Sequence, residues 1–150
     1  MTDQALGSEG FAHVGIVVDD LEASITAWSA ILGGPMPEII VTDTVDIART
    51  EYLGEPSTAR ARLAFFHLGA VAIELIEPMG EPSSWRAHLE RHGESLHHIA
   101  FRIAGMPDEL RFLEGHGLEL VQRGEYTGGR YAYLERARAL GAIVELLEDD

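Results

Sequence analysis

Two stretches of the chain share one pattern, an apolar run interrupted near its start by a histidine. Residues 11–18 and 96–103 are rich in apolar, β-branched and aromatic residues, a composition that favours buried β-strands. When the two runs are aligned, His13 falls on His98. Because side chains alternate across a strand, the neighbouring His97 is expected on the opposite face. The repeat therefore predicts that His13 and His98 have the same role.

A second pair of similar segments ends each half of the chain. Each is a predicted strand that follows a Leu-Gly-Ala turn, and each contains one glutamate among apolar residues, Glu74 or Glu145. Either glutamate could face solvent on an edge strand. If the strand is buried, a lone carboxylate is costly unless it is paired or binds a cation. Glu77 and Glu148, three residues further on, are expected on the opposite face and in solvent.

The order of the predicted elements repeats along the chain as β-α-β-β-β. The predicted strands are residues 11–18, 38–45, 60–66 and 71–77, then 96–103, 118–122, 130–134 and 143–148, with helices at 21–32, at 83–91 and after Pro107. We therefore expect an α+β fold of two tandem βαβββ modules. A flexible tail of residues 1–10 would precede one domain, residues 11–150. Module one covers about 11–78, a linker and short helix 79–95, and module two about 96–149.

The composition narrows the class of protein. The chain has 150 residues, a formal net charge of −14 and no cysteine, which excludes disulfides, thiolate metal sites and a catalytic cysteine. An acidic surface repels phosphate backbones and anionic lipids, so neither nucleic acid nor a membrane is an expected partner. The polar start of the chain does not resemble a signal peptide. These features predict a cytoplasmic protein that acts on a small molecule.

The repeated histidines and glutamates suggest a metal site. Each module supplies one histidine and one glutamate, and two such sheets packed together would bring both pairs to one cavity. Two imidazoles and two carboxylates suit divalent ions such as Zn²⁺, Co²⁺, Ni²⁺, Mn²⁺ or Fe²⁺. We therefore predict one divalent metal ion per chain. The predicted ligands are His13, Glu74, His98 and Glu145.

The motifs of residues 13–21 and 96–101, and the two Glu-Leu strands, resemble the vicinal oxygen chelate superfamily, and within it most closely methylmalonyl-CoA epimerase and metal-dependent glyoxalase I. The resemblance covers residues 11–148. It implies a curved, half-open barrel around a divalent metal, to which a substrate binds through neighbouring oxygens. It also implies that the metal stabilises an enolate formed by proton abstraction. A ligand carboxylate would move the proton, with Glu145 the first candidate and Glu74 the second.

The sequence departs from the epimerase pattern at two places. An acidic residue usually precedes the third strand in those enzymes, where this chain has Thr58, and residues 134–138 replace their His-Pro-Lys segment. Together with the acidic charge, these differences argue against a coenzyme A thioester as substrate. The expected activity is still that of a metal-dependent isomerase or epimerase acting on a small carbonyl or acyl-thioester compound.

Two other classes of function remain open. One is a glyoxalase-like lyase, or less readily a dioxygenase, because oxygen-activating iron sites use two histidines and only one carboxylate. The other is a binding protein of the resistance type, which should carry no metal. Arg102, Arg130 and Tyr133 lie on or beside the site strands and could bind a substrate, the arginines by their bidentate fork. Curved sheets with exposed edges often pair, so a homodimer is expected.

Overall fold

The computed structural model describes residues 5–7 and 10–150 and shows the two modules in sequence. Most of the predicted tail, residues 1–4 and 8–9, lies outside the described residues. The first half contains β1 (Phe11–Val17), α1 (Leu21–Leu32), β2 (Ile40–Val41), α2 (Val45–Ala48), β3 (Glu51–Tyr52), β4 (Glu55–Pro56), β5 (Arg60–Leu68) and β6 (Val71–Met79). After α3 (Ser84–His92), the second half contains β7 (Ser95–Arg102), α4 (Met106–Gly115), β8 (Glu119–Tyr126), β9 (Gly129–Glu135) and β10 (Ile143–Asp149).

All these strands join one ten-stranded sheet in the order β2-β5-β6-β1-β7-β10-β9-β8-β3-β4. In each half the first strand pairs in parallel with the last, β1 with β6 and β7 with β10. β1 and β7 then pair antiparallel and join the halves at the centre of the sheet. The mixed sheet curls into a half-barrel. The predicted α+β fold with two βαβββ modules is thus confirmed.

One part of module one differs from the prediction. Of the strand expected at 38–45, only Ile40–Val41 pairs as a strand, because polar residues follow and Thr44 is the N-cap of α2. The chain then crosses to module two, where β3 pairs antiparallel with β8 and β4 closes a hairpin. Residues 42–59 thereby connect the two outer parts of the sheet.

The two faces of the sheet have different environments. The outer face packs against helices, with Leu21 and Ile25 of α1 on Leu75 of β6, and Leu113 of α4 on Leu146 of β10. Side chains alternate along a strand, so the residues that precede and follow these outward-facing ones in sequence point to the inner face. Both candidate glutamates belong to this inner set. In the described part of the chain, no helix has the length and apolar character needed to cross a membrane.

The two glutamates expected in solvent instead hold the first helix of each module. Glu77 accepts a hydrogen bond from the backbone N–H of Leu21 at 2.9 Å, at the start of α1. Glu148 accepts one from Met106 at 3.1 Å and another from Gly105, at the start of α4. A carboxylate is favourable there because helix N-termini carry unpaired N–H groups and partial positive charge. The repeat therefore extends to helix capping.

Candidate metal centre

The four predicted ligands lie on four consecutive strands of the sheet, β6, β1, β7 and β10. β1 carries His13, β6 carries Glu74, β7 carries His98 and β10 carries Glu145. Each glutamate is brought beside a histidine strand by the parallel pairing of the first and last strands of its module. All four residues are buried, and His98 is fully inaccessible to solvent. The repeat thus converges on one point inside the half-barrel.

The donor atoms are close to one another. The Nε2 atom of His13 lies 3.0 Å from His98 Nε2 and 3.0 Å from Glu145 Oε2. His98 Nε2 lies 2.8 Å from Glu145 Oε2 and 3.2 Å from Glu74 Oε1. The remaining histidine–glutamate pair, His13 Nε2 and Glu74 Oε1, is 3.4 Å apart.

These distances fit a bound divalent ion. With metal–ligand bonds of about 2.1 Å, neighbouring ligand atoms lie about 3.0 Å apart in an octahedron and about 3.4 Å apart in a tetrahedron. Within the cluster, the buried Oε1 of Glu74 makes no directed hydrogen bond, although it lies near two ring nitrogens. A buried carboxylate oxygen without a directed donor is expected where a cation is its partner. The cluster could therefore hold a metal.

The charges of the cluster stabilise one another when only protons are present. Burial opposes the charged form of His13, but the hydrogen bond to Glu145 and the nearby charge of Glu74 outweigh it and raise the pKa of His13 to about 10. For His98, burial is again outweighed by the two glutamates, and its pKa rises to about 9. Burial likewise opposes ionisation of Glu74, yet the histidines lower its pKa to about 2. The pKa of Glu145 is also lowered, so the carboxylates are charged and available to a cation.

A glycine makes room for one ligand. Gly15 lies opposite His98 in the β1–β7 ladder. A Cβ atom at this position would be 2.0 Å from Cε1 of His98 and 2.5 Å from each ring nitrogen. No ordinary contact is that short, so the ring of His98 occupies the space that any other residue would fill. The absence of a side chain at Gly15 is part of the site.

A cavity of about 620 Å³ opens onto the cluster. Glu74 and Glu145 lie in its wall, and most other lining side chains are apolar or aromatic, including Phe65, Trp85 and Tyr133. The edge of the Phe65 ring packs on His13 at a centroid distance of 5.7 Å. Such a cavity is large enough for a small organic molecule.

The three predicted substrate-binding residues have different locations. Tyr133 lines the cavity, and its hydroxyl accepts a hydrogen bond from Trp85 Nε1 at 3.0 Å. Arg102 also lines the cavity and pairs with Asp149 at 3.4 Å. Arg130 lies outside this lining, where it pairs with Glu148 and Asp150. The structure therefore brings two of the three to the cavity.

Several cavity residues have no counterpart in the sequence analysis. The crossing segment between β2 and β5 supplies Thr42, Asp43, Ala48 and Thr50. Trp85 packs in the core and also lines the cavity. The crossing residues gave no signal, because they lie in segments too short to show a period.

The family model for the Glyoxalase/Bleomycin resistance protein/Dioxygenase superfamily matches residues 12–133. The chain belongs to this superfamily. The resemblance inferred from the repeated histidine and glutamate strands is therefore confirmed. The superfamily match covers both histidine strands and the first glutamate strand, so the curved sheet and the central position of the cluster agree with membership.

Three similar proteins include one uncharacterized protein and two epimerases. The chain is 27% identical over 150 residues to a 2-epi-5-epi-valiolone epimerase of an Actinomyces species, covering 94% of this chain and 80% of that protein. It is 28% identical over 139 residues to the uncharacterized protein YqjC of Bacillus subtilis, covering 91% and 89%. In structure it resembles methylmalonyl-CoA epimerase from Mycobacterium tuberculosis, with a TM-score of 0.65, 24% identity and coverage of 100% and 93%.

Proposed function

We propose that this chain is a divalent-metal-dependent epimerase or isomerase that removes and returns a proton next to a carbonyl group. The observation that supports it most directly is the buried cluster of two histidines and two glutamates at the wall of a small-molecule cavity. A divalent ion held there would act as a Lewis acid toward the negative charge that develops on the substrate oxygen. His13, Glu74, His98 and Glu145 would hold it.

The proton is moved by a glutamate. The C–H bond next to the carbonyl breaks, its electron pair forms an enolate, and the proton passes to a carboxylate oxygen. Return of a proton to the opposite face of the carbon completes an epimerisation without any other reactant. Glu145 is our first candidate for this base and Glu74 the second, because both line the cavity and both are charged. The two glutamates come from different modules, so two carboxylates are available to exchange a proton with the substrate carbon.

The charge of the cavity favours an uncharged substrate. Five carboxylates line it: Asp43, Glu74, Glu125, Glu145 and Asp149. The guanidinium of Arg102 is the only positive side chain in that lining, and it is already paired with one of the five. A divalent ion would offset two of these charges and leave the cavity acidic, so a carboxylate or phosphate on the substrate would be repelled. A small hydroxylated ketone fits better than an acyl thioester of coenzyme A. The epimerase relative, whose name denotes a valiolone, is consistent with this class.

Proton exchange with solvent tests the proposal. The protein is loaded with Co²⁺ or Zn²⁺ and incubated in deuterated water with a cyclic α-hydroxy ketone, and separately with a methylmalonyl-type thioester. We expect NMR to show deuterium entering the carbon next to the carbonyl of the ketone, and more slowly or not at all in the thioester. Exchange should be lost in Glu145→Gln when that variant retains its metal.

Glu119→Gln provides the matched control, because Glu119 is exposed at the start of β8 and lies outside the cavity. It should exchange the ketone as the native protein does. Full exchange by metal-loaded Glu145→Gln would exclude Glu145 as the base and transfer the role to Glu74. A native protein that binds the metal but exchanges neither compound would refute the proposed reaction.

A further inference from the structure

His97 is hydrogen-bonded through both ring nitrogens, although it lies on the face of β7 that points away from the cavity. It is 1% exposed. Its Nδ1 atom is 2.8 Å from Nδ1 of His98, and its Nε2 atom is 2.8 Å from Oγ of Ser84. The alternation of the strand correctly predicts the face of His97, but it does not reveal this contact with the back of a ligand.

The proposed metal site determines which nitrogen of each histidine ring carries the proton. His98 presents Nε2 to His13, Glu74 and Glu145, so Nε2 needs its lone pair free to bind a metal. The ring proton of His98 must then be on Nδ1. Because two Nδ1 atoms 2.8 Å apart need one donor and one acceptor, His98 donates and His97 accepts. The proton of His97 is consequently on Nε2, from which it donates to the Ser84 hydroxyl oxygen.

Ser84 is itself held in place. Its backbone N–H donates to Oε1 of Gln122 at 2.7 Å. The amide of Gln122, which is 1% exposed, donates in turn to the Tyr131 hydroxyl at 3.0 Å. Each polar group in this series is directed by the next one, and His97, Ser84 and Gln122 are all buried. A network that is buried and satisfied in this way fixes orientation.

We propose that His97 is a positioning residue of the metal centre: through the series His98–His97–Ser84 it fixes the tautomer and the ring orientation of the ligand His98. This inference rests on the proposed metal site. Outer partners of ligating histidines restrict the ring to one tautomer and raise its basicity, and their loss usually costs about 10–100-fold in metal affinity. In most such sites the partner is a carboxylate or a carbonyl; here it is a second histidine.

The test replaces His97 in two ways and compares the Zn²⁺ affinities of the variants, measured by competition with a chromophoric chelator. His97→Phe keeps a ring but removes the acceptor, and we expect affinity to fall about 10–100-fold. His97→Asn places an amide oxygen near the position of Nδ1, and we expect it to recover most of the loss. Nitrogen-15 NMR of the zinc-loaded native protein should show His98 protonated on Nδ1.

His88→Phe is the matched control. The ring of His88 packs on His97 at a centroid distance of 5.1 Å, but its nitrogen is paired with Ser95 and does not reach His98. Its affinity for Zn²⁺ should match that of the native protein. Native affinity in His97→Phe would overturn the inference, and so would equal losses in the Phe and Asn variants, which would indicate packing alone.

A third variant decides the question if His97→Phe does not fold. Ser84→Ala removes the acceptor of the His97 Nε2–H and leaves the His97 ring less firmly oriented, so Zn²⁺ should bind more weakly. Native affinity for Zn²⁺ in Ser84→Ala would overturn the inference. A native protein that binds no Zn²⁺ would refute the metal site together with it. If the native protein binds Zn²⁺ and the His97 variants bind it equally well, the positioning role alone is refuted.

Discussion

Replacing Gly15 by alanine tests the geometry of the site with one methyl group. The added Cβ would lie 2.0 Å from Cε1 of His98. Since carbon atoms in contact are normally about 3.5–4.0 Å apart, the ring would have to move by roughly 1.5 Å. It has no free space for this, because His98 is fully buried and Tyr133 stands 5.0 Å away, ring centre to ring centre.

A displacement of this size removes a ligand. Metal sites tolerate deviations of about 0.2 Å in ligand distance, so His98 would leave the coordination sphere. We expect the Gly15→Ala variant to bind Zn²⁺ at least about 100-fold more weakly. Removing only the hydrogen-bond partner of a ligand costs up to about 100-fold, and the loss of the ligand itself should cost no less. Inserting a methyl group into a packed interior should also lower the free energy of unfolding of the metal-free protein by about 1–3 kcal/mol.

Chelator competition and urea denaturation measure these two effects separately. Gly115→Ala is the control: Gly115 ends α4, and a Cβ there meets no other atom within 4 Å. This variant should bind Zn²⁺ normally and be about 0.4–1 kcal/mol more stable, because alanine restricts the unfolded chain. If Gly15→Ala binds Zn²⁺ within threefold of the native protein, roughly 0.6 kcal/mol, the ring has another way to reach the metal and the reasoning fails.

Two further predictions concern a ligand and a helix cap. His98→Ala should reduce bound metal, measured by elemental analysis, from one ion per chain to almost none; an unchanged metal content would exclude His98 as a ligand. Glu148→Gln should lower the free energy of unfolding by about 1 kcal/mol at pH 7, because charged acceptors make stronger hydrogen bonds. Hydrogen bonds from Gly105, Arg130 and Met106 lower the pKa of Glu148, although partial burial opposes this. Its contribution is therefore present above the unfolded pKa of about 4.3 and is lost as the pH falls through the lower folded value. Urea denaturation at pH 7 and pH 3 should show a smaller difference between the two proteins in acid, and an equal difference at both pH values would contradict this.

The sequence predicts the candidate ligands because two independent regularities select them. Repetition aligns His13 with His98 and Glu74 with Glu145, and the period of two places each on the same face as its partner. Neither argument needs a long-range contact. The same alternation separates Glu148 from Glu145, but it gives no indication that Glu148 accepts hydrogen bonds from α4. A strand pattern indicates the face of a residue; the neighbour that it meets depends on tertiary packing.

The parts that the sequence does not predict depend on contacts between distant segments. In the hairpin of residues 51–56, β3 pairs with β8, about seventy residues later, and β4 pairs with β3; both strands are too short to show alternation. Arg130 illustrates the same limit, since its strand is predicted but its pairing with Glu148 and Asp150 comes from β10 and the residue after it. Contacts of this kind are formed by the completed sheet and leave no periodic signal in either segment.

The position of the cluster explains why neither module could form the site alone. Each module supplies one histidine and one glutamate, so half of the cluster would be a two-ligand site open to water. The antiparallel pairing of β1 with β7 brings the halves together and buries all four donors. It also brings the backbone of Gly15 against the ring of His98, a contact between the modules that a side chain at position 15 would prevent. The same pairing that assembles the sheet thus also assembles the candidate metal centre, because the four donors meet only when the two modules are packed together.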